Sequence, residues 1–148
     1  MTGASRVTGR RIRIALLVVY SAFVAYMTLT PRGPGDGAFT RWVKRSLDAL
    51  HAQGVALWID FLTIEFLANV AMFVPLGLLT ALLLRRRWPL LVIGTAASAF
   101  IELWQALFLP ERYPDWRDLV SNTIGFLLGA AMAVVVERVR HPGSSGQK

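Results

Sequence analysis

The acidic and amide residues of this chain fall in pairs inside otherwise apolar stretches: Glu65 with Asn69, Glu102 with Gln105, and Asp118 with Asn122. A spacing of three or four puts both members of a pair on one face of a helix. A carboxylate in hydrocarbon is costly unless it faces a partner or a wet cavity, so such residues carry a default expectation of function. Three chemistries are open to them. Carboxylates and amides gathered in one layer could bind the polar part of a lipid-linked ligand, a headgroup or a lipid-anchored sugar. If burial split their pKa values they could serve as general acid and base, or hold a hard cation such as Mg²⁺ with the Asn and Gln carbonyls. They could also be proton or cation ligands on a transport path. Transport is disfavoured, because only one half of each stretch is polar. Enzyme chemistry is also the weaker reading: no nucleophile motif is visible, and His51 and His141 lie outside the polar pairs.

Composition says what kind of element must position these residues. The 148 residues are 55% hydrophobic, and a mean hydropathy of +0.50 is too high for an ordinary soluble domain of that size. The absence of cysteine excludes disulfides, thiolate metal sites and cysteine nucleophiles. A net charge of +7 raises nucleic acid as a partner, but the basic residues flank apolar segments and form no stripe with interleaved aromatics. The lipid bilayer is the partner this pattern implies.

Four stretches, at 14–30, 61–84, 88–109 and 119–136, are long enough to cross a hydrocarbon core of about 30 Å at roughly 1.5 Å per residue. The first also fits a secretory signal sequence, but no small-x-small cleavage site precedes Pro31, which favours an uncleaved helix. The expected fold is all-α, a bundle of four transmembrane helices with an interfacial amphipathic helix between the first and second. A basic N-terminus (1–13) precedes the membrane domain (14–138), and a tail (139–148) rich in Gly and Ser reads as disordered. With the N-terminus inside, ten Lys and Arg lie on the cytoplasmic side and six outside, and the tight Arg85-Arg86-Arg87 turn is among the ten. The positive-inside rule therefore predicts both termini in the cytoplasm.

The amphipathic stretch is 38–52. Phe39, Trp42, Val43, Leu47 and Leu50 recur at helical spacing, with Arg41, Lys44, Arg45 and Asp48 opposite, as in a helix lying among headgroups. A hairpin packed on the loops is the alternative. Pro31 to Gly37 reads as a turn, and Gly54 as the end or bend of the amphipathic segment. Pro75 removes a hydrogen bond to Ala71 within the second span, with Gly77 permitting close packing beside it, whereas Pro89 falls harmlessly in a first turn. Ser121, Gly125, Gly129 and Ala133 recur every four positions, as do Gly94, Ser98 and Glu102, the pattern of closely packed membrane helices.

In the predicted topology, Glu65 and Asn69 lie roughly 6 and 12 Å below the start of the second span. Glu102 and Gln105 lie about 10 and 6 Å below the end of the third. Asp118 and Asn122 stand at the mouth of the fourth. All share one slab of the outer leaflet. Each has a structural reading as well. Asp115 serves as a helix cap, the amides as interhelical hydrogen-bond donors, Glu65 as an interfacial residue, and Arg112 and Arg117 as ion-pair partners at the mouth. Glu102 is hardest to treat so, because the fourteen residues before it, back to Arg87, are apolar or small except for Thr95 and Ser98.

The order of these residues resembles a known family. Asn69, Phe73, Pro75 and Gly77, then Ile101, Glu102 and Gln105, then Arg112, Asp115 and Asp118, then Asn122, Gly125 and Gly129 are similar to the linked motifs of the VanZ-like family of small bacterial membrane proteins. The similarity runs from about Asp60 to Val136. Pro114 departs from it, standing where an aromatic or aliphatic residue is usual, with Tyr113 beside it. The resemblance implies a bacterial cytoplasmic membrane protein of the cell envelope, and the family's namesake is linked to teicoplanin resistance. Glu102, Gln105, Arg112, Asp115, Asp118 and Asn122 are the matched positions. No cofactor, substrate or settled activity is implied. An intramembrane hydrolase or transferase on an envelope lipid, and a structural partner protein with or without oligomerisation, remain alternatives.

Overall fold

The computed structural model describes residues 3–30, 37–84, 88–109 and 115–140. The expected turns at Pro31 to Asp36 and Arg85 to Arg87, the positions Arg112, Tyr113 and Pro114, and the tail from His141 lie outside the described residues. Among the described residues five helices follow in order: α1 (Gly3–Leu29), α2 (Ala38–Ala52), α3 (Phe61–Leu83), α4 (Pro89–Phe108) and α5 (Trp116–Arg140). All except α2 are long and apolar enough to span a membrane. The protein is an all-α, multi-pass membrane bundle with a short amphipathic helix between its first two spans.

Two boundaries differ from the sequence reading. α1 begins at Gly3 instead of residue 14, because the basic segment contains no breaker stronger than Gly9 and Arg is a good helix former. α5 begins at Trp116 and continues to Arg140, a turn beyond the apolar run at its C-terminal end. Apolarity marks the part of a helix that lipid covers, and backbone hydrogen bonding carries the helix past it. Pro89 occupies the start of α4.

α3 and α5 pack backbone against backbone. A Cβ on Gly129 would sit 1.9 Å from the Val74 carbonyl oxygen, one on Gly125 2.2 Å from that of Val70, and one on Gly77 1.8 Å from that of Phe126. One turn along α5, from Gly125 to Gly129, matches one turn along α3, from Val70 to Val74, so these helices run parallel. α4 lies antiparallel to α5: Gly94 accommodates the Phe126 ring, while Ser98 lies against Leu119 further up. α1 lies antiparallel to α3, with the Arg13 guanidinium donating to the Leu82 carbonyl (3.2 Å) at one end and the Tyr20 hydroxyl to Met72 (3.0 Å) midway. Arg13 thereby serves a carbonyl left over at the C-terminus of α3. Pro75 lies inside α3 and leaves the Ala71 carbonyl without its helical donor, one residue before the Met72 carbonyl that Tyr20 reaches.

The core is a thin seam of Val24, Phe73, Ala81, Leu90, Ile101, Phe126, Ala130 and Ala133. Large apolar side chains such as Val19, Phe23, Leu91, Phe100, Leu107 and Val135 point outward, as lipid contact requires. Exposed tryptophans mark the ends. Trp58 and Trp116 stand where α3 and α5 begin and Trp88 where α4 begins at the opposite end, the placement of interfacial aromatic belts.

α2 uses its apolar face on the protein. Val43 and Leu47 are buried while Trp42 and Leu50 remain exposed, and Lys44 Nζ lies 4.6 Å from the centre of the Phe61 ring. α2 ends in a Schellman arrangement: the Val55 N–H donates to Leu50 and the Gly54 N–H to His51, with Gly54 at φ 73°. His51 Nε2 then donates to the carbonyls of Ala56 and Ile59, holding the connection to α3, which includes Ala56 at φ 54°.

Candidate functional site

The end of the bundle where α3 and α5 begin and α1 and α4 finish carries most of the buried polar side chains: Thr28, Ser98, Gln105, Ser121 and Asn122. The path of the chain makes this so. Parallel packing of α3 with α5, set by their glycines, brings Asn69 within reach of Asp118, and antiparallel packing of α4 brings Glu102 to the first residues of α5.

Asn69 Nδ2 donates to Asp118 Oδ1 at 2.8 Å, joining α3 to α5. Glu102 Oε2 accepts the Asp115 N–H at 3.3 Å, joining α4 to the chain just ahead of α5. Asp115 is itself a cap: its Oδ1 accepts the Arg117 N–H at 2.9 Å, and the Asp118 N–H reaches its carbonyl. Ser98 donates to the Leu119 carbonyl at 3.3 Å and Ser121 to that of Asp118 at 3.1 Å, so both hydroxyls are spent on backbone.

Asn122, one turn inward from Asp118, is 3% exposed, and its Oδ1 is buried without a hydrogen-bond partner among the described residues. The Thr123 hydroxyl oxygen is likewise buried and unpartnered there. Gln105 turns elsewhere: Nε2 donates 2.9 Å to the Thr28 carbonyl of α1, away from Asp118 and Asn122. That carbonyl is among the last of α1 and has no intrahelical donor, so Gln105 acts as an interhelical fastener. Glu65 lies on an exposed face at the first turns of α3. Arg112 falls outside the described residues, and Arg117 is exposed.

Two participants were not singled out from the sequence. Thr28 carries no signal in the sequence, because what a threonine near the end of a span does depends on which helix stands beside it. Asp60 was legible: an Asp immediately before an apolar run signals an N-cap. Its Oδ1 accepts the Thr63 N–H at 2.7 Å and also the Thr63 hydroxyl. These two bonds, with a smaller pull from the Arg117 charge, hold the Asp60 carboxyl below the usual carboxylate range. Among the described residues there is no group of three or more His, Cys, Asp and Glu able to hold a metal ion.

No curated protein and no solved structure matches the chain. A family model does, over residues 17–137, which takes in the second half of α1 through most of α5 and every polar side chain of the site described above. With that span matched, and with the bundle assembled around the residues that carry the motifs, the chain belongs to the VanZ/LLP1 family.

Proposed function

We propose that the protein acts in the bacterial cell envelope, in the cytoplasmic membrane with both termini on the cytoplasmic side. In this reading the polar end of the bundle faces the outer leaflet and engages a lipid-linked or glycopeptide-like ligand, with teicoplanin resistance as the phenotype. Glu102, Asp115, Asp118, Asn122 and Asn69 form the core of the site in this reading, with Glu65 at its margin.

The observation that carries the reading is Asn122. Leaving a buried acceptor unpaired costs on the order of 1–3 kcal/mol, and lipid has no donor to offer. Its oxygen lies a turn from Asp118, which Asn69 holds in place. A ligand hydroxyl or amide N–H, abundant in sugars and glycopeptides, supplies the missing donor.

The test compares teicoplanin susceptibility of a bacterial host expressing wild type, Glu102→Ala or Asn122→Leu, with membrane levels matched by immunoblot. Wild type should raise the inhibitory concentration and both variants should lose that effect. Equal protection by all three would make the polar end structural. No protection by wild type would remove the glycopeptide phenotype from the proposal.

A further inference from the structure

A second recess lies beside the polar end and is lined by none of Asn69, Glu102, Asp118 and Asn122. Where α3 and α5 begin, a cleft of about 280 Å³ opens between the two helices. Its wall is apolar, made by Leu62, Phe66, Leu67 and Trp116, and its rim carries two opposite charges, Asp60 and Arg117. Leu62, Leu67 and Trp116 are exposed, so the cleft faces the surroundings of the bundle. It is too small to enclose a lipid, and its open side admits one acyl chain lying along α3.

The rim is what selects an occupant. Asp60 precedes the first residue of α3 and Arg117 sits in the first turn of α5, so both lie at headgroup depth for helices that start at the interface. Their separation is short enough for the Arg117 charge to be felt at Asp60. One oxygen of Asp60 is committed to Thr63, which fixes the carboxylate in place without neutralising it. A lone cation on the rim would favour any anionic lipid. A cation beside a fixed carboxylate disfavours a headgroup that is only anionic and suits one carrying a phosphate and an ammonium together.

We propose that the cleft between the starts of α3 and α5 is a binding site for a zwitterionic aminophospholipid of the phosphoethanolamine type. Arg117 takes the phosphate, Asp60 the ammonium, and Leu62, Phe66 and Leu67 the upper part of one acyl chain.

The experiment is native mass spectrometry of the full chain released from nanodiscs of equal phosphatidylethanolamine and phosphatidylglycerol. Wild type should retain phosphatidylethanolamine enriched roughly threefold over the bilayer ratio, the scale that exposed charge pairs support. Asp60→Asn keeps an oxygen for the helix cap while removing the charge, and should return the ratio to that of the bilayer or shift it toward phosphatidylglycerol. Arg117→Gln should reduce retention of both lipids. Folding of each variant is checked by its thermal unfolding in the same nanodiscs, and Asp60→Glu should restore the preference. Retention at the bilayer ratio by wild type, enrichment of phosphatidylglycerol, or an unchanged preference in folded Asp60→Asn would each overturn the proposal. None of these outcomes touches Glu102 or Asn122, so the teicoplanin test stands apart.

Discussion

At the scale of single residues, the polar end separates side chains committed to structure from Asn122, whose buried acceptor is not. Gln105, Ser98, Ser121 and Asp115 each satisfy a backbone group, and their replacement should be felt as lost stability. Asn122 has the opposite expectation. Leucine has the same branched shape with no acceptor to leave unpaired, so Asn122→Leu should leave stability unchanged or raise it by about 1 kcal/mol, while protection against teicoplanin falls. Unfolding in detergent micelles read beside the susceptibility assay checks both halves. Asp60 offers a pH test. Its carboxyl is held below the ordinary range in the folded chain, so its contribution is present above the unfolded-state value and lost as pH falls through the folded one. Amide exchange at Thr63 and Ile64, corrected for intrinsic rates, should accelerate on acidification in wild type and lose that dependence in Asp60→Asn.

At the scale of elements, the bundle is organised by the α3–α5 pair. Both helices surrender side chains at the crossing, and the carbonyls of Val70, Val74 and Phe126 occupy the space that Cβ atoms would need. Without a hydrophobic driving force between helices in lipid, this intimate packing is a principal source of cohesion. Gly129→Ala should therefore cost about 1–3 kcal/mol or more, as overpacking does, and should loosen Asn69 from Asp118. Gly9, with no atom within 4 Å of an added Cβ, is the control. Gly9→Ala should be neutral or stabilising by up to about 1 kcal/mol. Equal effects of the two substitutions in micelle unfolding would refute the argument. α2 illustrates a sharing of surfaces: it buries Val43 and Leu47 on the protein and leaves Trp42 and its basic residues outward.

At the scale of the whole molecule, the alternation of helix directions puts the starts of α3 and α5 and the ends of α1 and α4 together. The chain has no cysteine, so single substitutions report sidedness directly. With both termini cytoplasmic, Gly9→Cys should be labelled by an impermeant maleimide only after the membrane is opened, and Gln53→Cys in intact spheroplasts. The reverse pattern would invert the orientation and move the polar end to the inner leaflet. Labelling of both residues from one side would break the topology itself.

The spans and the amphipathic helix were legible because hydrophobic runs and helical periodicity are local properties. Lipid exposure demands apolar side chains continuously over the length of a crossing, and Ala38–Ala52 carries its two faces in its own residue order. Helix ends were less legible, as Gly3 and Trp116 show, because hydrogen bonding continues past the apolar run. The pairing of helices was decided only in three dimensions. Small residues every four positions occur on both α4 and α5, yet the backbone-to-backbone contact forms between α3 and α5 because Gly77 faces Phe126 while Val70 and Val74 accept Gly125 and Gly129. The same holds for the polar side chains. Glu102 and Gln105, three apart on one helix, reach different neighbours, the first the entrance of α5 and the second the end of α1. Spacing places a side chain on a face, and the helix that arrives at that face determines what the side chain does.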